Sequence, residues 1–251
     1  MTTRLEIEYD GGGFSGWALQ PGKRTIQDEL ETALATVLRH PVTLTVAGRT
    51  DAGVHAWAQV ASHEGEAAPL GSLNALLPPD IAVVRSETVA DGFDARRDCT
   101  SRAYCYRVLA RPARSALERG HALHWSYPVD FSALRECATL LVGTRDFTAF
   151  TPTDTYHVRF WRDVYAAHWR ARDHELLEFW IEADSFMRHM NRALVGTMLD
   201  VARARLSVGD FAQLLDGATR AEAGPTAPAR GLHFAGAGYA GERLLGQPTQ
   251  D

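Results

Sequence analysis

The sequence is poor in cysteine and has no long apolar run. Its 251 residues include three cysteines, Cys99, Cys105 and Cys137, with no Cys-x-x-Cys pair. A small and odd number of cysteines excludes a disulfide framework and favours free, buried thiols in a reducing compartment. No stretch reaches the apolar length needed to span a bilayer, and the first residues lack the apolar core of a secretory signal. We therefore expect a cytoplasmic protein that does not enter the membrane.

The chain also lacks a positive net charge. Its formal charge is −5, which argues against a protein that coats nucleic acid indiscriminately. The arginines are nevertheless locally dense, whereas the acids concentrate elsewhere. We interpret this as a cleft lined by arginine on an acidic body, suited to a structured RNA, although mixed solvated charge would give a similar pattern. The dense pairs are Arg96 and Arg97, Arg102 and Arg107, Arg111 and Arg114, Arg188 and Arg192, and Arg203 and Arg205.

What the chain does contain is an alternation of strand and helix patterns. Period-two segments such as 42–46, 57–63 and 176–181 predict strands, and segments with helical spacing lie between them. The expected fold class is α+β, with a largely antiparallel mixed sheet and helices on one side. We predict two similar α/β subdomains, residues 1–105 and 106–251. One helix is predicted to begin at Thr25, and three more are predicted to span 130–141, 185–204 and 208–215.

The most informative stretch is Gly-Arg-Thr-Asp-Ala-Gly-Val-His at residues 48–55. It follows the predicted strand 42–46, so Asp51 falls on a turn just past a strand end, between two glycines. Glycine lets the backbone bend sharply and lets another molecule approach closely. A carboxylate there, two residues after Arg49, is placed as a catalytic group would be. The alternative is a turn aspartate that caps its own backbone.

A second candidate is Arg192, on the predicted helix 185–204. Met187, Met190, Leu194, Met198 and Val201 form one apolar stripe of that helix, and further apolar residues lie opposite. Burial on two sides leaves Arg192 partly buried and in need of a partner. That partner is Asp51, another acid, or water reached by snorkelling.

Residues 48–55 closely resemble the catalytic motif of the tRNA pseudouridine synthase A family. Residues 186–192 resemble a second family motif, Phe-x-x-His-Met-x-Arg, and resemblances in order extend from Tyr9 to Phe234. Four positions depart from the usual pattern. These are Ala18, Asn191, Ala193 and His233, the last where the family usually has tyrosine.

The resemblance implies an isomerase of the pseudouridine synthase fold. It would convert uridine to pseudouridine at positions 38–40 of the tRNA anticodon stem-loop, with Asp51 as the catalytic residue and Arg192 as its ion-pair partner. Tyr104 would stack on the target base, unless it is simply a core aromatic, and Leu232 would pack on the other side of the uracil. Arg49 is placed to hold the space vacated by an extruded base and to contact phosphate. The resemblance also implies a homodimer that clamps tRNA in a cleft on the helix-free side, with no metal and no cofactor.

Two other functions share part of this pattern. A non-catalytic RNA-binding module would use the same arginines and aromatics but would not need an ionised Asp51. A retaining glycoside hydrolase also attacks an anomeric carbon with a carboxylate, but it needs a second carboxyl about 5–5.5 Å away. The sequence has no second carboxylate in a comparable loop motif.

Overall fold

The computed structural model describes residues 1–155 and 157–246, and the chain forms two compact units. The first comprises Met1–Arg102 and His233–Glu242, and the second comprises Ala103–Leu232 and the residues from Arg243 onward. Ten residues near the C-terminus thus belong with the N-terminal part of the chain. The functional subdomains 1–105 and 106–251 stay a prediction.

Ten strands and five α-helices make up the two units within the described residues. The strands are β1 (Thr2–Tyr9), β2 (Thr45–Val46), β3 (His55–Glu64), β4 (Ile81–Val89), β5 (Cys99–Ala110), β6 (Leu123–Trp125), β7 (Gly143–Asp146), β8 (Trp161–Arg172), β9 (Leu176–Ala183) and β10 (Leu232–Tyr239). The helices are α1 (Ile26–Leu38), α2 (Leu70–Leu76), α3 (Phe131–Leu140), α4 (Met190–Ala202) and α5 (Val208–Gln213).

In the first unit, β1 lies between β3 and β4 and pairs antiparallel with both. The short β2 pairs antiparallel with β3, and β10 pairs parallel with the other side of β3 in the register His233 to His55. Leu5 and Ile7 of β1 are fully buried in this unit's core. The parallel pairing brings a segment from the far end of the sequence next to the strand that follows Asp51.

In the second unit the strand order is β5, β9, β8, β7, and β6 pairs parallel with β5. The β7–β8 and β8–β9 pairs are antiparallel. Helix α3 packs against β8, α4 and α5. Both units therefore combine helices with mixed, largely antiparallel pairing, which confirms the predicted fold class.

Helix α4 begins five residues later than predicted. The helical spacing of Met187 and Met190 suggested a start near residue 185, but α4 spans Met190–Ala202. His189 has a φ of +64° and therefore breaks the right-handed helix at its start. Arg188 is consequently not on the helix and forms an ion pair with Asp154. The prediction that this helix is buried on two sides is confirmed, because every residue of α4 except Arg192 is buried.

Most other local predictions are confirmed, and one strand is shorter than predicted. The Asp130 side chain accepts hydrogen bonds from the N–H groups of Ser132 and Ala133 and so caps α3. The strand predicted for 42–46 is reduced to Thr45–Val46. All three cysteines are free and buried, as expected. No helix of the described residues is long and apolar enough to cross a membrane.

Candidate active site

Asp51 lies in the loop between β2 and β3, at the first position of a β-turn. The Val54 N–H donates to the Asp51 carbonyl oxygen at 3.2 Å, and Gly53 at the third position has a φ of +76°. A positive φ at this position is what a type II turn requires. The turn predicted from the two glycines is therefore present, and the Asp51 side chain is half-buried.

The glycine-rich segment that follows β1 lies directly against this loop. A Cβ on Gly11 would stand 1.9 Å from the Val54 carbonyl oxygen, and one on Gly16 would stand 2.8 Å from that of Thr50. The Trp17 N–H donates to the same Thr50 oxygen at 3.0 Å. These glycines therefore allow backbone to approach backbone, which accounts for a glycine run that lacks the Gly-Lys-Ser/Thr of a phosphate loop.

Side-chain hydrogen bonds hold the loop on the N-terminal side of Asp51. The Tyr9 hydroxyl and Thr50 Oγ1 are 2.8 Å apart, and Gln59 Nε2 donates to the Gly48 carbonyl oxygen at 2.8 Å. Gln59 Nε2 also donates to the Tyr9 hydroxyl at 3.3 Å. Burial raises the pKa of Tyr9 to about 12, so its hydroxyl stays neutral and keeps its proton for these contacts.

Arg49 projects from the same loop and is exposed. Its guanidinium forms no hydrogen bond or ion pair with any residue that the structure describes. It is therefore available to an anionic ligand.

The other predicted site residues belong to the second unit. Tyr104 on β5 is buried, and its ring meets Phe186 edge-on at a centroid distance of 5.0 Å and an angle of 82°. Leu232 is buried at the start of β10. Arg192 is half-buried in the first turn of α4, where its Nε donates to the Ala227 carbonyl oxygen at 2.7 Å. The Ala227 N–H donates in return to the Arg192 carbonyl oxygen at 3.0 Å.

The sequence analysis assigned no role to several supporting residues. Tyr106 on β5 donates its hydroxyl to the Pro228 carbonyl oxygen at 2.8 Å and so holds the segment that leads to Leu232. In the first unit the His233 ring stacks on His55 at 4.8 Å and on Trp57 at 4.6 Å. The spacing of His55 and Trp57 on one face of a strand was a signal, but their partner comes from nearly 180 positions away.

Comparison with known proteins finds tRNA pseudouridine synthases that are similar to this chain over nearly its whole length. The sequence profile described as "tRNA pseudouridine synthase" matches residues 137–240. The tRNA pseudouridine synthase A of Chromobacterium violaceum is 40% identical over 98% of this chain and 95% of its own length. That of Bacillus subtilis is 37% identical over 93% of this chain and 97% of its own.

The chain belongs to the tRNA pseudouridine synthase A family. It is therefore an isomerase, a pseudouridine synthase, as the resemblance implied. A third member, from Myxococcus xanthus, is 39% identical over 91% of this chain and 88% of its own length. Family membership also confirms the expected pseudouridine synthase fold.

Proposed function

We propose that this pseudouridine synthase converts uridine to pseudouridine at positions 38–40 of the tRNA anticodon stem-loop, with Asp51 as its catalytic carboxylate. The observation that carries this proposal is the position of Asp51, half-buried on a turn that Gly11, Gly16, Tyr9 and Gln59 hold from both sides. A solvated surface aspartate would not need such support. A reacting group does, because small displacements cost large factors in rate.

The reaction breaks the N1–C1′ glycosidic bond, turns the uracil and joins C5 to C1′. The C5 proton is released at the end and N1, freed from the ribose, takes up a proton, so the atoms balance without an oxidant, a phosphoryl group or an external nucleophile. We propose that no metal and no cofactor take part. Asp51 acts as an anion, either by attack on C1′ or by removal of the proton from C2′.

The remaining residues have proposed roles that follow from their chemistry. The target base is stacked in the RNA and its extrusion costs a few kcal/mol. Tyr104 stacking on the flipped base recovers about 1–3 kcal/mol, and Leu232 packs on the opposite side of the ring. Arg192 is the proposed partner of Asp51, as its motif implies. Arg49, exposed and available, contacts phosphate or occupies the vacated space.

The decisive experiment compares Asp51→Ala with Asp216→Ala on unmodified tRNA transcripts. Asp216 is a suitable control because it too is an aspartate shortly before a glycine of positive φ, but it is exposed and lies outside the family motifs. We expect Asp51→Ala to bind tRNA within a few-fold of the parent and to form no pseudouridine, while Asp216→Ala remains active. Chemical mapping should locate the product at 38, 39 or 40.

Two results would contradict the proposal. Product formation by Asp51→Ala would remove the catalytic role of that carboxylate. Tight tRNA binding by the parent protein with no product would favour the alternative, a non-catalytic RNA-binding module.

We further propose that the protein acts in the cytoplasm as a homodimer, and that the dimer binds one tRNA. The three free, buried thiols are compatible with a reducing compartment. Light scattering during size-exclusion chromatography should give twice the chain mass of 27.6 kDa, and a monomer mass at working concentration would contradict the dimer.

A further inference from the structure

A small cavity in the second unit gathers three arginines that the proposed mechanism does not use. It has a volume of about 210 Å3 and is formed by the connection after β5 together with the residue two before Leu232. Arg114, Arg119 and Arg230 line it, with Ser115, Glu118 and His124. We call it the arginine pocket.

The three arginines have no counter-charge within the described residues. None of them forms an ion pair or a side-chain hydrogen bond with that part of the chain, and all three are exposed. The one acid that lines the pocket, Glu118, is held bidentately by Arg107, at 2.8 and 3.3 Å. Arg107 and Arg172 also form ion pairs with Glu178. The two positive charges of these arginines are therefore balanced by the two negative charges of Glu118 and Glu178. The pocket therefore carries about three uncompensated positive charges.

The backbone that presents these arginines is held in place. Ser115 Oγ accepts from the N–H groups of Leu117 and Glu118, at 3.2 and 3.1 Å. His124 Nε2 donates to the Arg111 carbonyl oxygen at 2.9 Å. A turn fixed in this way loses little further freedom when a ligand binds. Because Ser115 Oγ uses its lone pairs for the turn, its hydroxyl hydrogen can donate to an anion.

The size of the arginine pocket and its position in the fold limit the kind of ligand that can bind there. Pockets for whole small molecules occupy about 300–1,000 Å3, so a cavity near 210 Å3 suits a single phosphate group better than a nucleoside. Guanidinium groups match phosphate oxygens through paired N–H donors. Arg230 also lies two residues before Leu232, the residue proposed to pack on the uracil, and a Cβ on the intervening Gly231 would stand 2.6 Å from the Tyr106 ring.

We propose that the arginine pocket binds a backbone phosphodiester of the tRNA that flanks the target uridine. This inference rests on the proposed function, because it assigns a contact to the same RNA. Binding there positions the RNA without touching the reacting atoms, so it contributes to affinity and to its salt dependence rather than to the chemical step.

The test replaces the three arginines with glutamine, which keeps polarity and removes charge. The control is Arg135→Gln, an exposed arginine of α3 outside the pocket. Dissociation constants for an unmodified tRNA transcript are measured over a series of KCl concentrations. Each lost phosphate contact should weaken binding about fivefold near physiological salt and reduce the log–log salt slope by about 0.7–0.9. Turnover at saturating tRNA should be unchanged, and Arg119→Gln alone should give a smaller change in the same direction.

The outcomes separate this inference from the proposed function. Unchanged affinity and slope in the triple variant, while the parent protein forms pseudouridine, would overturn the pocket assignment alone. A parent protein that neither binds tRNA nor forms product would overturn both. Inorganic phosphate titrated into both proteins distinguishes the source of the anion. If phosphate binding is lost in the triple variant while tRNA affinity is unchanged, the pocket serves a free phosphate ion and the RNA assignment is wrong.

Discussion

A single methyl group at Gly16 should disable the Asp51 loop. Gly16 has a φ of +95°, and its added Cβ would stand 2.8 Å from the Thr50 oxygen and 3.1 Å from the Ala52 nitrogen. The distance to the Thr50 oxygen is about 0.6 Å inside ordinary van der Waals contact, and that to the Ala52 nitrogen about 0.3 Å inside it. Both neighbours are backbone atoms, one on either side of Asp51. The loop must move, because it cannot relieve the contact by rotating a side chain.

Gly22 provides a matched control for the backbone strain. It has a φ of +70°, but a Cβ there meets nothing within 4 Å. Both alanine variants therefore place a non-glycine residue in the left-handed region, which costs roughly 1–2 kcal/mol of stability. Only Gly16→Ala also displaces Asp51, and a displacement approaching 1 Å can cost about 100-fold in rate.

The assay is tritium release from tRNA labelled at uridine C5, at saturating tRNA, with thermal unfolding recorded in parallel. We expect Gly22→Ala to lose stability and keep its turnover number. Gly16→Ala should lose at least as much stability and about 100-fold in turnover. If its turnover number instead stays within about twofold of that of Gly22→Ala, the segment after β1 does not position the catalytic loop and the reasoning fails.

Two further predictions concern titratable groups. The Arg24 guanidinium donates two hydrogen bonds to the Asp80 carboxylate, at 2.8 and 2.9 Å, and these hold the pKa of that carboxyl below its usual range. A depressed pKa in the folded state gives stability that is present above about pH 4 and is lost as the pH falls through the folded value. Asp80→Asn should therefore lower stability by about 1 kcal/mol at neutral pH and flatten the acid limb of the stability curve; an unaltered acid limb would contradict this. Burial raises the pKa of all three thiols, to about 12 for Cys137, so an aromatic disulfide reagent at neutral pH should label none of them in the native protein and all three after unfolding. Rapid labelling of the folded protein would show that a thiol is accessible.

The local character of the site could be predicted from sequence, but its supports could not. Glycines at 48 and 53 around Asp51 indicate a turn because few other residues adopt the required backbone geometry. The contacts from Tyr9 and Gln59 are side-chain hydrogen bonds across the sheet, and no local pattern specifies them. The return of His233 to His55 is equally hidden, because parallel pairing depends on the path of the whole intervening chain.

Arg192 illustrates a correct inference reached for an incomplete reason. Helical spacing predicted that it lies on a second, partly buried face of a helix, and it is half-buried. The Ala-, Gly- and Pro-rich segment near 221–229, which the sequence indicates only as a loop, lies against this face of α4. A Cβ on Gly196 of α4 would stand 1.7 Å from the Pro225 carbonyl oxygen, and Ala227 exchanges two hydrogen bonds with Arg192. Small residues on both sides let this segment lie directly on α4, so the orientation of the guanidinium depends on residues that a helical pattern alone does not include.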